Sequence, residues 1–168
     1  KRGLKAKSKR SIVEIDLSID AYIPADYIED ERQKIDFYKR IQRIESVADH
    51  DEIDADLIDR FGDYPQEVSD LLEVGLLKNY AEKSQIETIK RQGETVVITF
   101  SQEATGRLQG PAVFEALSNI PLKAQINLNN AKLVVSVVIG KLPNRQWLNH
   151  LNAFIKACVA ETDGTDGK

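Results

Sequence analysis

The chain of 168 residues holds one cysteine, no methionine, two histidines and only 7% aromatic residues. A single thiol, Cys158, closes no internal disulfide. His50 and His150 stand too far from it and from each other to suggest a metal-ligand cluster. Long apolar runs are missing too. The longest, Leu133 to Ile139 with Ser136 inside it, falls far short of the roughly 18 residues that a membrane-spanning helix needs. No apolar export signal opens the chain. These absences speak against a membrane partner and for a reducing, cytoplasmic setting. Lys1 is not an initiator residue, so the chain reads as a piece of a longer protein or as a processed chain.

Catalytic motifs are equally scarce. Gly106-Arg-Leu-Gln-Gly110 lacks the spacing and the lysine of a phosphate-cradling loop and reads as an ordinary loop. Cys158 and His150, eight positions apart on one predicted helix, are separated by about 12 Å along its axis, too far for a nucleophile and its base. The histidines read as surface residues and Cys158 as core. Carboxylates abound, but no spacing places one of a pair in an apolar pocket, as acid–base chemistry requires. Catalytic, cofactor-binding and metal-binding residues are therefore expected to be none in this segment.

Charge is unevenly distributed. Lys1, Arg2, Lys5, Lys7, Lys9 and Arg10 crowd the first ten residues, so the formal net charge of −4 hides a body near −10. From Glu14 to Glu73 there are 19 Asp or Glu against 6 Lys or Arg, a balance that repels a phosphate backbone. Residues 1–11, with Gly3 and Ser8 and no apolar period, read as a basic interdomain linker. Residues 161–168, small and polar, read as a disordered tail. Residues 12–160 form one domain.

Within that domain, Val13, Ile15, Leu17 and Ile19 alternate with polar residues, the pattern of a half-buried outer strand. Three helices follow. The first spans about Glu29 to Ser46, with a stripe of Ile35, Phe37, Tyr38, Ile41 and Ile44. The second is capped by Asp49, buries Ile53, Leu57, Ile58 and Phe61, and is stopped by a left-handed Gly62. The third carries Val68, Leu71, Leu72, Gly75 and Leu76 on one face, with Gly75 admitting a close helix approach. Ile86–Lys90 and Thr95–Phe100 form a hairpin turned at Gly93. Pro111 opens a short helix, Ala112–Asn119. Lys123–Leu128 and Lys132–Ile139 make a second hairpin through Asn129, Asn130 and Ala131. The later strand, apolar at nearly every position, is expected to be covered on both faces at the sheet's centre. A last helix, opened by Pro143, buries Trp147, Leu151, Phe154, Ile155 and Cys158. The order β-α-α-α-β-β-α-β-β-α predicts an α+β fold with helices layered on one side of a mostly antiparallel sheet.

One spacing stands out. Glu52, Asp56, Asp59 and Asp63 recur at i, i+4, i+7 and i+11 opposite the apolar residues of the second helix, with nothing basic within the stripe. Like charges at i, i+4 cost a helix roughly 0.2–0.5 kcal/mol each, a penalty that a cationic partner turns into a gain. A solvated acidic face has the same spacing, so geometry alone leaves both readings open.

Three segments carry a family signature: Asp20-Ala-Tyr-Ile-Pro-Ala-Asp-Tyr-Ile28, Lys34-Ile-Asp-Phe-Tyr-Lys-Arg-Ile41 and Leu57-Ile-Asp-Arg-Phe-Gly-Asp-Tyr-Pro65. Together they resemble the C-terminal domain of bacterial transcription-repair coupling factors. The likeness continues through Leu71-Leu72-Glu-Val and covers about Val13 to Ala160, by pattern more than by motif in the second half. Where the family often has glycine before the isoleucine that opens the hairpin, this chain has Gln85.

The resemblance implies a parent that is an ATP-driven DNA translocase, displacing stalled RNA polymerase and recruiting UvrA. ATP and Mg²⁺ would belong to its motor domains, not to this segment. It implies a regulatory role for this domain: docking on the parent's own N-terminal UvrB-like module, masking the UvrA-binding surface there, and restraining the motor. UvrA, RNA polymerase and DNA would be partners of the parent without being held by this domain. The family's acidic docking positions match Asp56 and Asp59; Glu52 and Asp63 join them by geometry alone. The competing reading is an accessory nucleic-acid-binding module acting through Lys1 to Arg10. Removing those residues separates the two: DNA retention by the chain is expected to stay unchanged, and its loss would favour the second reading.

Overall fold

A computed structural model of the chain describes residues 12–162. The basic linker expected at residues 1–11 lies outside the described residues, as do residues 163–168 of the tail expected at 161–168; its first two residues, Glu161 and Thr162, are helical instead. The order is β1 (Glu14–Asp16), α1 (Glu31–Gln42), α2 (Val47–Phe61), α3 (Gln66–Lys83), β2 (Ile86–Gln92), β3 (Thr95–Phe100), α4 (Gln102–Arg107), α5 (Gly110–Ser118), β4 (Ala124–Asn129), β5 (Lys132–Val138) and α6 (Asn144–Thr162). The fold is α+β, as expected. The strands lie in the order β1-β2-β3-β5-β4, with every neighbouring pair antiparallel except β1 and β2.

The alternation in each strand decides which face is sealed. Ile89, Val96, Ile98, Val135 and Val137 are fully buried, whereas Thr88, Val97, Thr99, Val134 and Ser136 on the opposite face are only partly covered. A register shift between Ile86 and Thr88 leaves Glu87 as an extra residue, so Ile86 and Ile89 both face the core despite their odd spacing. β1 is an edge strand, as its alternation predicts. β5 is not the centre of the sheet: β3 is, and Val138 on β5 remains 43% exposed. Its run of valines reflects β propensity on a half-open face rather than burial on both.

Local corrections have equally concrete causes. The cap of α2 is Ser46, whose Oγ accepts the Asp49 N–H at 3.1 Å, while Asp49 accepts the Glu45 N–H at 2.9 Å. Asp49 is thus the partner of the cap, accepting the N–H just before Ser46 in a variant of the capping box, rather than the cap itself. α1 ends at Gln42, short of Ser46. Its cap Asp30 accepts the N–H groups of Arg32 and Gln33. The segment containing Gly106 is helical: Ser101 caps α4 by accepting the Ala104 N–H. Gly62 takes φ +86° and ψ −171°, backbone that only glycine adopts readily, and stops α2 as expected. Gln85 occupies φ +60°, so the glycine-type turn survives there with a side chain. Cys158 and Trp147 are buried in the core, as predicted.

α3 is the hub. It packs on α6 most extensively, and also against α1, α2 and β2. At Gly75 a β-carbon would lie 3.0 Å from Ile41 Cγ2, 3.1 Å from Ile44 Cδ1 and 3.3 Å from the Ile41 carbonyl. The close approach predicted for this glycine is therefore to α1 and the residues just after it. Overpacking of about 1–3 kcal/mol outweighs the roughly 1 kcal/mol that alanine gains over glycine in a helix. Gly75→Ala is expected to lower the unfolding free energy by about 1 kcal/mol in denaturant titration. In the β4–β5 turn, Asn130 and Ala131 both have positive φ, +55° and +66°. Ala131 is exposed, and its conformation costs an L-residue roughly 1–2 kcal/mol. Ala131→Gly is expected to raise the unfolding free energy by about 0.5–1 kcal/mol after its chain-entropy cost, read as a higher denaturation midpoint.

Candidate functional site

The three signature segments meet in space. Tyr27 donates its hydroxyl proton to the Gly62 carbonyl at 2.6 Å and more weakly to Leu57 O at 3.3 Å. Tyr38 Oη accepts the Ile23 N–H at 2.7 Å. Phe61 packs against Tyr27 and edge-on to the buried Phe37, with ring centroids 5.7 and 5.9 Å apart. The loop before α1, the body of α1 and the end of α2 thus form one unit, and α2 carries its acidic residues along the outside of it.

Asp56 is the only one of the four predicted site residues with an ion pair among the described residues. Arg40 Nη1 lies 2.7 Å from its Oδ2 and Arg60 Nε 3.3 Å from its Oδ1. Each guanidinium also rests over the Phe37 ring, at 5.0 and 5.6 Å from the centroid. The hydrogen bond from Arg40 holds the Asp56 carboxyl below the usual aspartate range. Partial desolvation opposes this shift and the Arg60 charge assists it. The expectation that nothing basic enters the stripe is therefore corrected. Arg60 follows Asp56 by one turn, a spacing readable in the sequence, but Arg40 arrives from another helix.

Asp59 and Glu52 are exposed, and neither has an ion pair or a side-chain hydrogen bond among the described residues. Glu52 borders a hollow of about 200 Å³ with Arg40, Arg43, Asp49 and Ile53. Asp63 does not continue the stripe: it lies beyond the Gly62 turn and lines a separate, more open hollow of about 510 Å³ with Tyr22, Asp26, Tyr27 and Tyr64. Tyr64 donates a short hydrogen bond to Asp54, and burial, then that bond, pushes its hydroxyl pKa up.

His50 is not a surface residue. Its side chain is 16% exposed, with Nδ1 3.0 Å from Asp51 Oδ1 and Nε2 4.0 Å from Glu73 Oε2. Its position on the first turn of α2, facing α3, gave no sign of this in sequence. Among the described residues, no three His, Cys, Asp or Glu side chains converge in a way that could hold a metal ion. No described helix is long and apolar enough to cross a membrane.

An α+β domain with this motif cluster defines a class, and comparison identifies it. The TRCF domain model matches residues 17–110, more than half of the chain, which therefore belongs to the TRCF domain family. Among its relatives, the transcription-repair-coupling factor of Bacillus subtilis strain 168 is 34% identical over 156 residues, covering 93% of this chain and 13% of that protein. The factor of Staphylococcus aureus strain USA300 is 34% identical over 163 residues, covering 96% and 14%. The chain thus spans only 13–14% of the length of these relatives. A crystal structure of the C-terminal domain of transcription-repair coupling factor superposes with a TM-score of 0.87 at 32% identity, covering 92% of this chain and 96% of that one. In sequence and fold, the chain is similar to the C-terminal domain of transcription-repair coupling factor.

The ion pairs of Asp56 generate a pH prediction. Its folded-state pKa is depressed, so its contribution to stability is complete above the unfolded value near 4 and is lost as pH falls through the lower folded value. The melting-temperature difference between the unsubstituted chain and Asp56→Asn is expected to be constant from about pH 5 to 8 and to shrink below about pH 4. Thermal melts across that range check it.

Proposed function

We propose that this domain is the regulatory clamp of a cytoplasmic, ATP-driven DNA translocase. It docks on the translocase's own N-terminal UvrB-like module, masks the surface that UvrA would use and restrains the motor until RNA polymerase is engaged. The observation that carries this reading is the outer face of α2. Asp59 and Glu52 lie exposed there, with no ion pair to a cation among the described residues, beside Asp56, on the helix whose Leu-Ile-Asp-Arg-Phe-Gly run carries the family resemblance. A row of carboxylates on a body of strong negative charge suits a partner surface of arginines and lysines.

Asp56 and Asp59 are not equivalent in this reading. Asp59 offers its charge directly, and Asp56 offers its own only in exchange with Arg40 or Arg60. Asp63, in its separate hollow, contributes to the general field rather than to the row. Exposed ion pairs are worth about 0–1 kcal/mol each. A clamp built from a few of them holds and still opens when a competing contact forms.

Binding of the chain to the isolated UvrB-like module of its parent is expected to weaken as salt rises from 50 to 500 mM. Asp56→Asn with Asp59→Asn is expected to weaken it by about three- to tenfold at low salt. Calorimetry or fluorescence anisotropy reads both. An affinity indifferent to salt and to the double substitution refutes docking through this face.

A further inference from the structure

Asp56 already holds two cations before any partner arrives. Its two oxygens are taken by different guanidiniums, one from α1 and one from the next turn of its own helix. The two bonds are unequal. Arg40 is close at 2.7 Å and its side chain is 36% exposed, whereas Arg60 is at 3.3 Å and 48% exposed. Both guanidiniums also lie over Phe37, a contact that does not depend on Asp56. Beside them is a hollow of about 310 Å³, bordered by both arginines and by Asp36, Lys39 and Arg43. It gives a released arginine room to move, and Asp36 gives it a carboxylate to move toward.

A cation approaching Asp56 therefore meets a neutralised carboxylate, and binding there is an exchange rather than an addition. We propose that Arg60 is a resident counter-ion that sets the affinity of the α2 face. An incoming guanidinium or ammonium takes Asp56 by displacing Arg60, while Arg40 stays and keeps α1 joined to α2. Asp59 and Glu52 attract the visitor first, and Asp56 yields second. This deepens the docking reading above and rests on it. It makes Arg60 an affinity-setting residue that weakens the clamp, although it sits within the interface and carries a charge like that of the visitor.

The test uses the 168-residue chain and, as probe, the UvrB-like module of its parent. Arg60→Gln is expected to tighten binding about two- to fivefold, the scale of one exposed ion pair. Arg60→Lys, which keeps the charge, is expected to restore the original affinity. In an Asp56→Asn background the gain from Arg60→Gln is expected to vanish. Circular dichroism confirms that each variant is folded. Unchanged or weaker binding by Arg60→Gln, while Asp56→Asn with Asp59→Asn still weakens binding, overturns the counter-ion role and leaves docking intact. No effect from the double substitution overturns docking and the counter-ion role together.

Discussion

The fold depends on a helix that is surrounded by protein on nearly all sides. α3 buries Val68, Leu72, Leu76, Leu77, Tyr80 and Ala81, and with them Asp70 and Asn79, so no single stripe of it faces water. Such a helix owes its stability to neighbours rather than to amphipathicity. α6 satisfies several polar groups of α3: Asp70, which also accepts from Gln66 of α3 itself, accepts from Asn144, and Asn152 donates to the Glu73 side chain and carbonyl. Gly75 sets how closely the α1 segment approaches the hub, and that approach fixes where α1 stands relative to α2. The position of Arg40 over Asp56 is therefore a distant product of packing around α3.

The same packing concentrates charge. The stretch from Glu14 to Glu73 is strongly acidic, yet four of its six basic residues, Lys39, Arg40, Arg43 and Arg60, border one hollow between α1 and α2. Net charge describes the far field of such a surface, and the pairing of Asp56 with two arginines describes its near field. The two need not agree in sign. A partner is drawn in by the first and must negotiate with the second. This division explains why two aspartates three positions apart on one helix have different electrostatic surroundings.

Much of the architecture was legible because it follows from periodicity and turn chemistry, which are local. Alternation marked β1 as a half-covered outer strand, and Gly62, Gly93 and the Asn130–Ala131 pair marked turns that the backbone adopts with positive φ. What escaped was non-local or masked by composition. The valines of β5 suggested a central strand, although β propensity favours valine on a half-open face as well. Ser46 is hard to read as the cap because Asp49, whose N–H it accepts, is itself a good capping residue. The short α4 was hidden behind Gly106. At the site, the carboxylate spacing was readable, but the engagement of Asp56 by Arg40 spans two helices and has no signature in sequence. The break of the stripe at Asp63 follows from Gly62, which stops the helix one residue before that carboxylate.

β1 joins the sheet beside β2, a pairing that skips three helices: Glu14 meets Thr88 and Asp16 meets Lys90. Such a ladder forms only after a long stretch of chain has been organised, and it is three residues long at an open edge. Tension applied through the N-terminal end of the domain would reach this strand before any other. The domain's N-terminal end is thus held in the sheet through one short ladder on one side only, with Val13 and Leu17 anchoring its flanks in the core.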